Sequence, residues 1–176
     1  MKNNVLKSLM LLLISGFLCT QAASPALMES LTPVVPARAI PPLVLEDTEE
    51  EIINIQNFKG KVIVVNFWAT WCPPCTREMS SLDNLYKTYK EQGLVVLALN
   101  VGEDEDAVFD FVSSMEPELS MPILYDTDSS TMQKWKAIGL PSTFVINKKG
   151  KIVYQAVGGR DFNNKKITQI IEKMLR

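Results

Sequence analysis

The chain has 176 residues, 47% of them hydrophobic, which is enough for one well-buried core but short for two independent domains. Its formal net charge of -2, without any long basic run, argues against a nucleic-acid partner, because phosphates require clustered lysine and arginine. The sequence contains no histidine, which excludes Ser-His and Cys-His catalysis, histidine-ligated metals and imidazole acid-base chemistry.

The first 23 residues have the layout of a secretory signal peptide. Two lysines precede an apolar stretch at 9–18, and the small-residue run TQAAS follows it. This order predicts cleavage after Ala22 or Ala23. Cleavage would remove Cys19 and leave a mature chain with two cysteines, in a compartment where thiols meet oxidants. We therefore expect an exported protein, periplasmic or otherwise extracytoplasmic.

Retention of this N-terminal segment is the alternative to cleavage. An uncleaved segment would tether the protein to a membrane, although its apolar part is shorter than the roughly 20 residues that span a bilayer. A lipid on Cys19 would also act as a tether, but the bulky Leu18 stands where a lipoprotein signal has a small residue.

Residues 24–42 contain five prolines and little periodicity, which predicts an extended or mobile leader before a domain at 43–176. The runs LVLED and EEIINI predict a small strand pair around an acidic turn. The β-branched run from Val62 to Phe67 is apolar on both faces, as is typical of a central buried strand.

The rest of the chain alternates predicted helices and strands. Apolar residues at three- and four-residue spacing up to Tyr89, with Gly93 as the stop, predict a helix of about five turns. LVVLALNV is a second buried strand, and EDEDAVFDFVSSM is a helix with an acidic first turn. The remaining predicted elements are a strand at 123–125, a helix near 129–136, a hairpin of strands 143–146 and 151–157, and a helix at about 161–175. The order βαβ followed by ββα predicts an α/β fold around one mixed sheet.

Cys72 and Cys75 lie between the buried strand and the long helix, where open α/β sheets place their sites. Three residues apart on one helical face, they can form a disulfide. Cys72 is the predicted nucleophile, because unpaired amides at a helix N-terminus lower a thiol pKa. Cys75 is expected to be more buried and to act as the resolving thiol. A Cys72 thiolate would attack a partner disulfide, and Cys75 would then displace the reduced partner, with no cofactor.

The spacer residues Pro73 and Pro74 favour the start of the helix, where a missing amide hydrogen costs little. Their missing amides cannot stabilise a Cys72 thiolate, so we expect a more reducing couple, that is, a reductant. A zinc site would need four ligands, which a chain without histidine or a second cysteine pair cannot supply from these residue types. A structural disulfide is the other interpretation, although a bridge that closes so short a ring removes little unfolded-state entropy.

The motif VVNFWATWCPPC, with GLPSTFVI further along the chain, resembles the thioredoxin superfamily and, more closely, its exported TlpA/ResA-like branch. The resemblance runs from about Leu43 to the C terminus and implies a thioredoxin fold with an N-terminal strand pair and a β-α insertion. It also implies that Pro141 is cis and lies opposite the cysteines, with the Leu140 backbone available to pair with an extended substrate segment.

Several other positions near the motif are assigned by the same resemblance. Trp71, together with the two spacer prolines, is expected to form the substrate-binding surface, whereas Trp68 is expected to pack in the core. Asn66 stands where thioredoxins carry a buried aspartate, and Ala98 where they carry a lysine, so the usual proton acceptor is missing. Glu78 matches a glutamate of ResA-like members and could tune the thiols or accept the Cys75 proton. The alternative is a solvated acid that favours the helix start.

These features predict an exported thiol-disulfide oxidoreductase that reduces protein disulfides, by resemblance those of apocytochrome c or its maturation partners. Electrons are expected from a membrane thiol transporter, since no nucleotide motif is present. The alternatives are a thiol oxidant or isomerase, a peroxiredoxin-like antioxidant and a redox-inert binding module. The antioxidant would need a P-x-x-x-T-x-x-C loop, which NFWATWC does not provide.

Overall fold

The computed structural model describes residues 27–176, so the predicted signal peptide and Cys19 lie outside the described residues. The strands and α-helices of the described part are, in chain order, β1 (Thr32–Ala39), β2 (Val44–Glu46), β3 (Ile52–Asn54), β4 (Val62–Trp68), α1 (Pro73–Tyr89), β5 (Leu94–Val101), α2 (Glu105–Ser113), β6 (Ile123–Asp126), α3 (Ser130–Trp135), β7 (Ser142–Ile146), β8 (Lys151–Val157) and α4 (Lys165–Leu175). None of the helices in this part of the chain combines the length and the apolar character needed to cross a membrane.

One mixed sheet forms the centre of the molecule, with the strand order β1-β8-β7-β4-β5-β6. Strands β4, β5 and β6 are parallel to one another, whereas β7, β8 and β1 are added antiparallel. β2 and β3 form a separate antiparallel pair. The predicted α/β class, the mixed sheet, the N-terminal strand pair and the inserted helix α2 are all confirmed.

β4 is buried along its whole length, and its alternating side chains face two different layers. Val62, Val64 and Trp68 join the core that contains residues of α1 and α4. Ile63 and Val65 join the core on the other face, with α3 and the segment around β2. The two-residue period of a strand therefore also directs the intervening polar residue of β4, Asn66, toward the α1 side.

The predicted leader at 24–42 needs correction, because residues 32–39 of it form strand β1. β1 pairs with β8 at the edge of the sheet, with Pro33 opposite Tyr154. Proline is tolerated on an edge strand, where a missing amide need not remove a hydrogen bond from the sheet. A further bridge joins Met28 to Arg160. The folded domain thus begins well before the predicted boundary at Leu43.

Local chemistry sets the C-terminal end of α1, at Gly93, and the start of α4, at Asn164. After α1, a short 3-10 turn at Lys90–Gln92 ends at Gly93, whose φ of 97° lies in the left-handed region that favours glycine. α4 starts later than the predicted Asp161, because the Asn164 side chain accepts from the Lys166 amide and caps the helix there. Asp161 instead accepts the Asn164 amide in a preceding turn.

Candidate active site

The two cysteines are joined in a disulfide between β4 and α1, with an S–S distance of 2.08 Å and Cα atoms 5.2 Å apart. Cys72 is the N-cap of α1, and Pro73 and Pro74 occupy the first two helical positions as predicted. The Cys75 amide donates to the Cys72 carbonyl oxygen at 2.9 Å, so the first turn of the helix brings the two side chains to one face.

Cys75 is the more buried of the two cysteines, as predicted, but Cys72 is also largely buried. Cys75 is fully buried, and Cys72 is only 5% exposed. The neighbouring Trp71, in contrast, is 67% exposed. The disulfide is therefore reached through a narrow opening beside an exposed indole ring.

That opening belongs to a groove of about 560 Å³. The groove is lined by Trp71, Cys72, Pro73, Pro74, Val101, Gly102, Ser129, Met132, Gly139 and Leu140. The peptide bond between Leu140 and Pro141 is cis, as the resemblance implied. The structure thus brings the motif and the GLP segment to the same groove, although they lie far apart in the sequence.

Glu78 is buried next to the motif, so the interpretation of a solvated acid at the helix start is wrong. Its side chain has no exposed surface. Asn66 Nδ2 donates to Glu78 Oε1 at 2.8 Å, and the Arg160 amide donates to Glu78 Oε2 at 2.6 Å. Burial raises the pKa of Glu78 from 4.5 to about 7, although both hydrogen bonds and the Arg160 charge act to lower it. A carboxyl one helical turn after Cys75 can therefore exchange a proton near neutral pH.

Asn66 connects Glu78 to the neighbouring strands of the sheet. Its Nδ2 also donates to Thr143 Oγ1 at 3.0 Å, while its Oδ1 has no hydrogen-bond donor in the described residues. Asn66 lies opposite Ala98 in the parallel register of β4 and β5. The two positions at which the sequence departs from cytoplasmic thioredoxins are therefore neighbours, and neither supplies a charge.

Sequence reasoning missed two residues that shape this site. Glu103 accepts hydrogen bonds from the Thr70 amide at 2.7 Å, from the Thr70 hydroxyl and from Asn100 Nδ2 at 2.7 Å, and it thereby ties the loop before the motif to the end of β5. In the sequence it looked like one of several acids favouring the first turn of α2. Arg160 follows two glycines after the hairpin, and no sequence signal indicated its contact with Glu78.

The other predicted positions divide between core and groove. Trp68 is fully buried and packs against Phe111, with ring centroids 5.1 Å apart. Trp71 borders the groove. Within the described part of the chain, no group of three or more histidine, cysteine, aspartate or glutamate side chains is placed to hold a metal ion.

Comparison with known proteins places these features in context. Residues 36–171 match the family model Redoxin. The thiol-disulfide oxidoreductase ResA of Bacillus subtilis (strain 168) is 41% identical over 118 residues, which cover 67% of this chain and 65% of that protein. The match thus spans a little less than two thirds of the length of this curated relative.

Two solved structures show the same architecture. A putative thioredoxin from Neisseria meningitidis has a TM-score of 0.68 at 28% sequence identity, covering 78% of this chain and 90% of that chain. A putative thiol:disulfide interchange protein DsbE from Chlorobium tepidum has a TM-score of 0.73 at 24% identity, covering 84% of this chain and 100% of that chain. The fold described above is therefore thioredoxin-like.

Proposed function

Since this chain belongs to the Redoxin family and is related to the thiol-disulfide oxidoreductases named ResA, we propose that it exchanges disulfides with protein substrates through Cys72 and Cys75. The observation that carries the proposal is the disulfide at the junction of β4 and α1, which borders an apolar groove and is followed one helical turn later by the buried carboxyl of Glu78. A structural disulfide alone would need neither neighbour.

The proposed exchange conserves electrons and protons. In the reduced protein, the Cys72 thiolate attacks a substrate disulfide, forms a mixed disulfide and releases one substrate thiolate, which takes up a proton. The Cys75 sulfur then attacks Cys72, closes the disulfide of the protein and releases the second substrate thiol. Two electrons pass to the substrate. The Cys75 proton is lost in this step, and the ionised form of Glu78, one turn along the same helix, is the proposed acceptor.

The groove is the proposed docking site for an extended substrate segment. Trp71, Pro73 and Pro74 would contact one side of the segment, and Leu140 and Pro141 the other. The Trp71 ring is already exposed, so a substrate can pack against its large apolar surface without any rearrangement of the core. The positions of Trp71, Pro73, Pro74 and Leu140 along the groove, with the cis bond to Pro141 next to it, support these proposed roles.

The proposed direction of electron flow is toward the substrate, so the protein acts as a reductant. The support is the start of α1, where proline at the first two positions removes two amide hydrogens that would otherwise stabilise a Cys72 thiolate.

We further propose export to an extracytoplasmic compartment, free or tethered through the N-terminal segment, with a membrane thiol transporter as electron donor. Apocytochrome c or its maturation partners are the proposed substrates, by resemblance to the TlpA/ResA-like branch.

Two measurements test this function. Equilibration of the protein with glutathione redox buffers should give a potential well below about -200 mV, in the range of reducing oxidoreductases. A value near that of strong oxidants would instead support the oxidant or isomerase.

Substitutions of the cysteines separate an enzyme from a binding module. Cys72→Ser should abolish disulfide reduction, Cys75→Ser should accumulate mixed disulfides with its substrates, and Cys19→Ser should change neither, because Cys19 lies outside the pair. Full activity of the Cys72→Ser variant would exclude disulfide exchange through Cys72.

A further inference from the structure

Arg160 is a buried arginine whose side chain binds backbone carbonyls rather than a carboxylate. It is only 5% exposed. Its Nε donates to the Ser30 carbonyl oxygen at 2.6 Å, and its Nη1 donates to the carbonyl oxygens of Val157, Gly158 and Gly159 at 3.2, 2.8 and 3.2 Å. Neither of the ion pairs in the described residues includes it. Burying a guanidinium is costly unless its donors find acceptors, and these carbonyls accept from Nε and Nη1.

The main chain of the same residue contacts Glu78. The Arg160 amide donates to Glu78 Oε2 at 2.6 Å, so the direction of this amide determines how the carboxyl is held. The residues before it curl around the guanidinium, with Gly158 at a φ of 85°, and their three carbonyls converge on Nη1. The side chain of Arg160 thus fixes the loop from which its own amide points.

The guanidinium also holds the N-terminal strap, by which we mean residues 27–31. The Met28 amide donates to the Gly159 carbonyl oxygen at 2.9 Å, and the Asp161 amide donates to the Met28 carbonyl oxygen at 3.2 Å. A Cβ added at Gly159 would lie 2.5 Å from Leu27 Cδ2 and 3.1 Å from the Pro74 carbonyl oxygen. The strap, the loop and the first turn of α1 are therefore in close contact around Gly159.

We propose that Arg160 is a positioning residue of the redox site, which seats the strap on the loop at 157–160 and so keeps the Arg160 amide on the Glu78 carboxyl. Its importance for disulfide exchange rests on the proposed function, but its effect on Glu78 does not. The other side chain that donates to the Glu78 carboxyl is neutral: it is Asn66, on β4. Asn66 in turn donates to Thr143 on β7, which is also neutral. In the oxidised protein, Arg160 supplies the charge that acts on Glu78 from the described residues.

The direction of the effect follows from these contacts. The amide hydrogen bond and the positive charge of Arg160 both lower the Glu78 pKa, while burial raises it. Loss of the guanidinium removes the charge and loosens the loop that carries the amide. Arg160→Met should therefore raise the Glu78 pKa above its present value of about 7.

The direct test is a titration of the Glu78 carboxyl carbon by NMR in the oxidised full-length protein labelled at glutamate. Arg160→Met should move the Glu78 titration to higher pH, and Arg160→Lys, which keeps the charge but not the set of carbonyl contacts, should move it less. Arg38→Met is the matched control, because Arg38 lies on β1 and donates to Gln155 away from the motif. An unchanged Glu78 titration in folded Arg160→Met overturns the proposal. If Arg160→Met does not fold, an unchanged Glu78 titration in Arg160→Lys overturns the proposal instead.

A second readout connects positioning to exchange. Arg160→Met should shift the pH dependence of the disulfide-reduction rate upward, and this shift should vanish in the Glu78→Gln background, where no carboxyl can titrate. An equal loss of rate at every pH in both backgrounds indicates a merely structural role and overturns the proposal. The NMR titration needs no substrate, so failure of the proposed function, seen as full activity of Cys72→Ser, is distinguishable from failure of this inference.

Discussion

Glu78→Gln tests the most unusual group of the site, a carboxyl buried next to a disulfide. In the folded protein its pKa is about 7, against 4.5 for an ordinary glutamate. Between these two pH values the folded protein keeps a proton that the unfolded chain releases, so the free energy of unfolding falls as the pH rises through this window. The difference corresponds to about 3 kcal/mol, because each pKa unit is worth about 1.36 kcal/mol.

A glutamine at position 78 cannot ionise, so the variant should not show this fall of the unfolding free energy with rising pH. Its carbonyl oxygen can accept from the Arg160 amide, as Glu78 Oε2 does now. Its amide can donate to Asn66 Oδ1, which has no donor at present, if the Asn66 amide turns over by half a turn. Relative to the parent protein, the variant should therefore gain about 2.5 kcal/mol in unfolding free energy between pH 5 and pH 8, since most of the linkage lies in that interval.

Urea unfolding of the oxidised proteins, followed by tryptophan fluorescence at pH 5, 6, 7 and 8, measures this difference. Glu91→Gln is the control, because Glu91 is an exposed carboxylate at the end of the long helix. The parent and Glu91→Gln should lose stability in parallel as the pH rises, whereas Glu78→Gln should not follow them. Parallel profiles for all three proteins would show that Glu78 is ionised over the whole range and would refute the assigned pKa.

Three other substitutions probe the groove, the α1 face and the strap. Trp71→Ala should raise KM for protein disulfides more than for a small aromatic disulfide, and should change the unfolding free energy by less than about 0.5 kcal/mol, because the side chain is 67% exposed. Asp83→Ala should lower the unfolding free energy by about 2–4 kcal/mol in urea titrations, since buried Asp83 accepts the amide and hydroxyl of Ser120, and Asp83→Asn should lose less. Gly159→Ala should accelerate hydrogen exchange in residues 27–31, because the added Cβ would lie 2.5 Å from Leu27 Cδ2, with the Pro74 carbonyl oxygen also only 3.1 Å away; unchanged exchange there would contradict the packing of the strap.

The features that sequence predicted correctly are those with a local signal. The run from Val62 to Phe67 is rich in β-branched residues and apolar at every position but Asn66, which is typical of a strand covered on both faces, and β4 is indeed buried throughout. The position of Cys72 at the helix start follows from that strand, from two prolines suited to the first helical turn and from the amphipathic pattern up to Tyr89.

The features that sequence could not predict depend on distant partners. The prolines at 33 and 36 indicated a leader, and only pairing with β8, more than a hundred residues away, makes that segment an edge strand. Glu78 could equally have been a solvated acid near a helix N-terminus. Its burial is decided by contacts with Asn66 and Arg160, which lie 12 and 82 positions away in the sequence.

The absence of histidine bears on the proposed role of Glu78 as a proton acceptor. A dithiol that is oxidised during turnover must release the proton of its inner thiol, and an acceptor works best when its pKa is near the ambient pH. Imidazole would supply such a pKa without burial, but this chain has none. Here desolvation raises the pKa of Glu78 to about 7, and Asn66 and Arg160 keep the charged form accessible by limiting that rise. Removing either hydrogen bond should therefore keep the Glu78 carboxyl protonated to higher pH and weaken it in its proposed role as proton acceptor, even though the carboxyl itself remains in place.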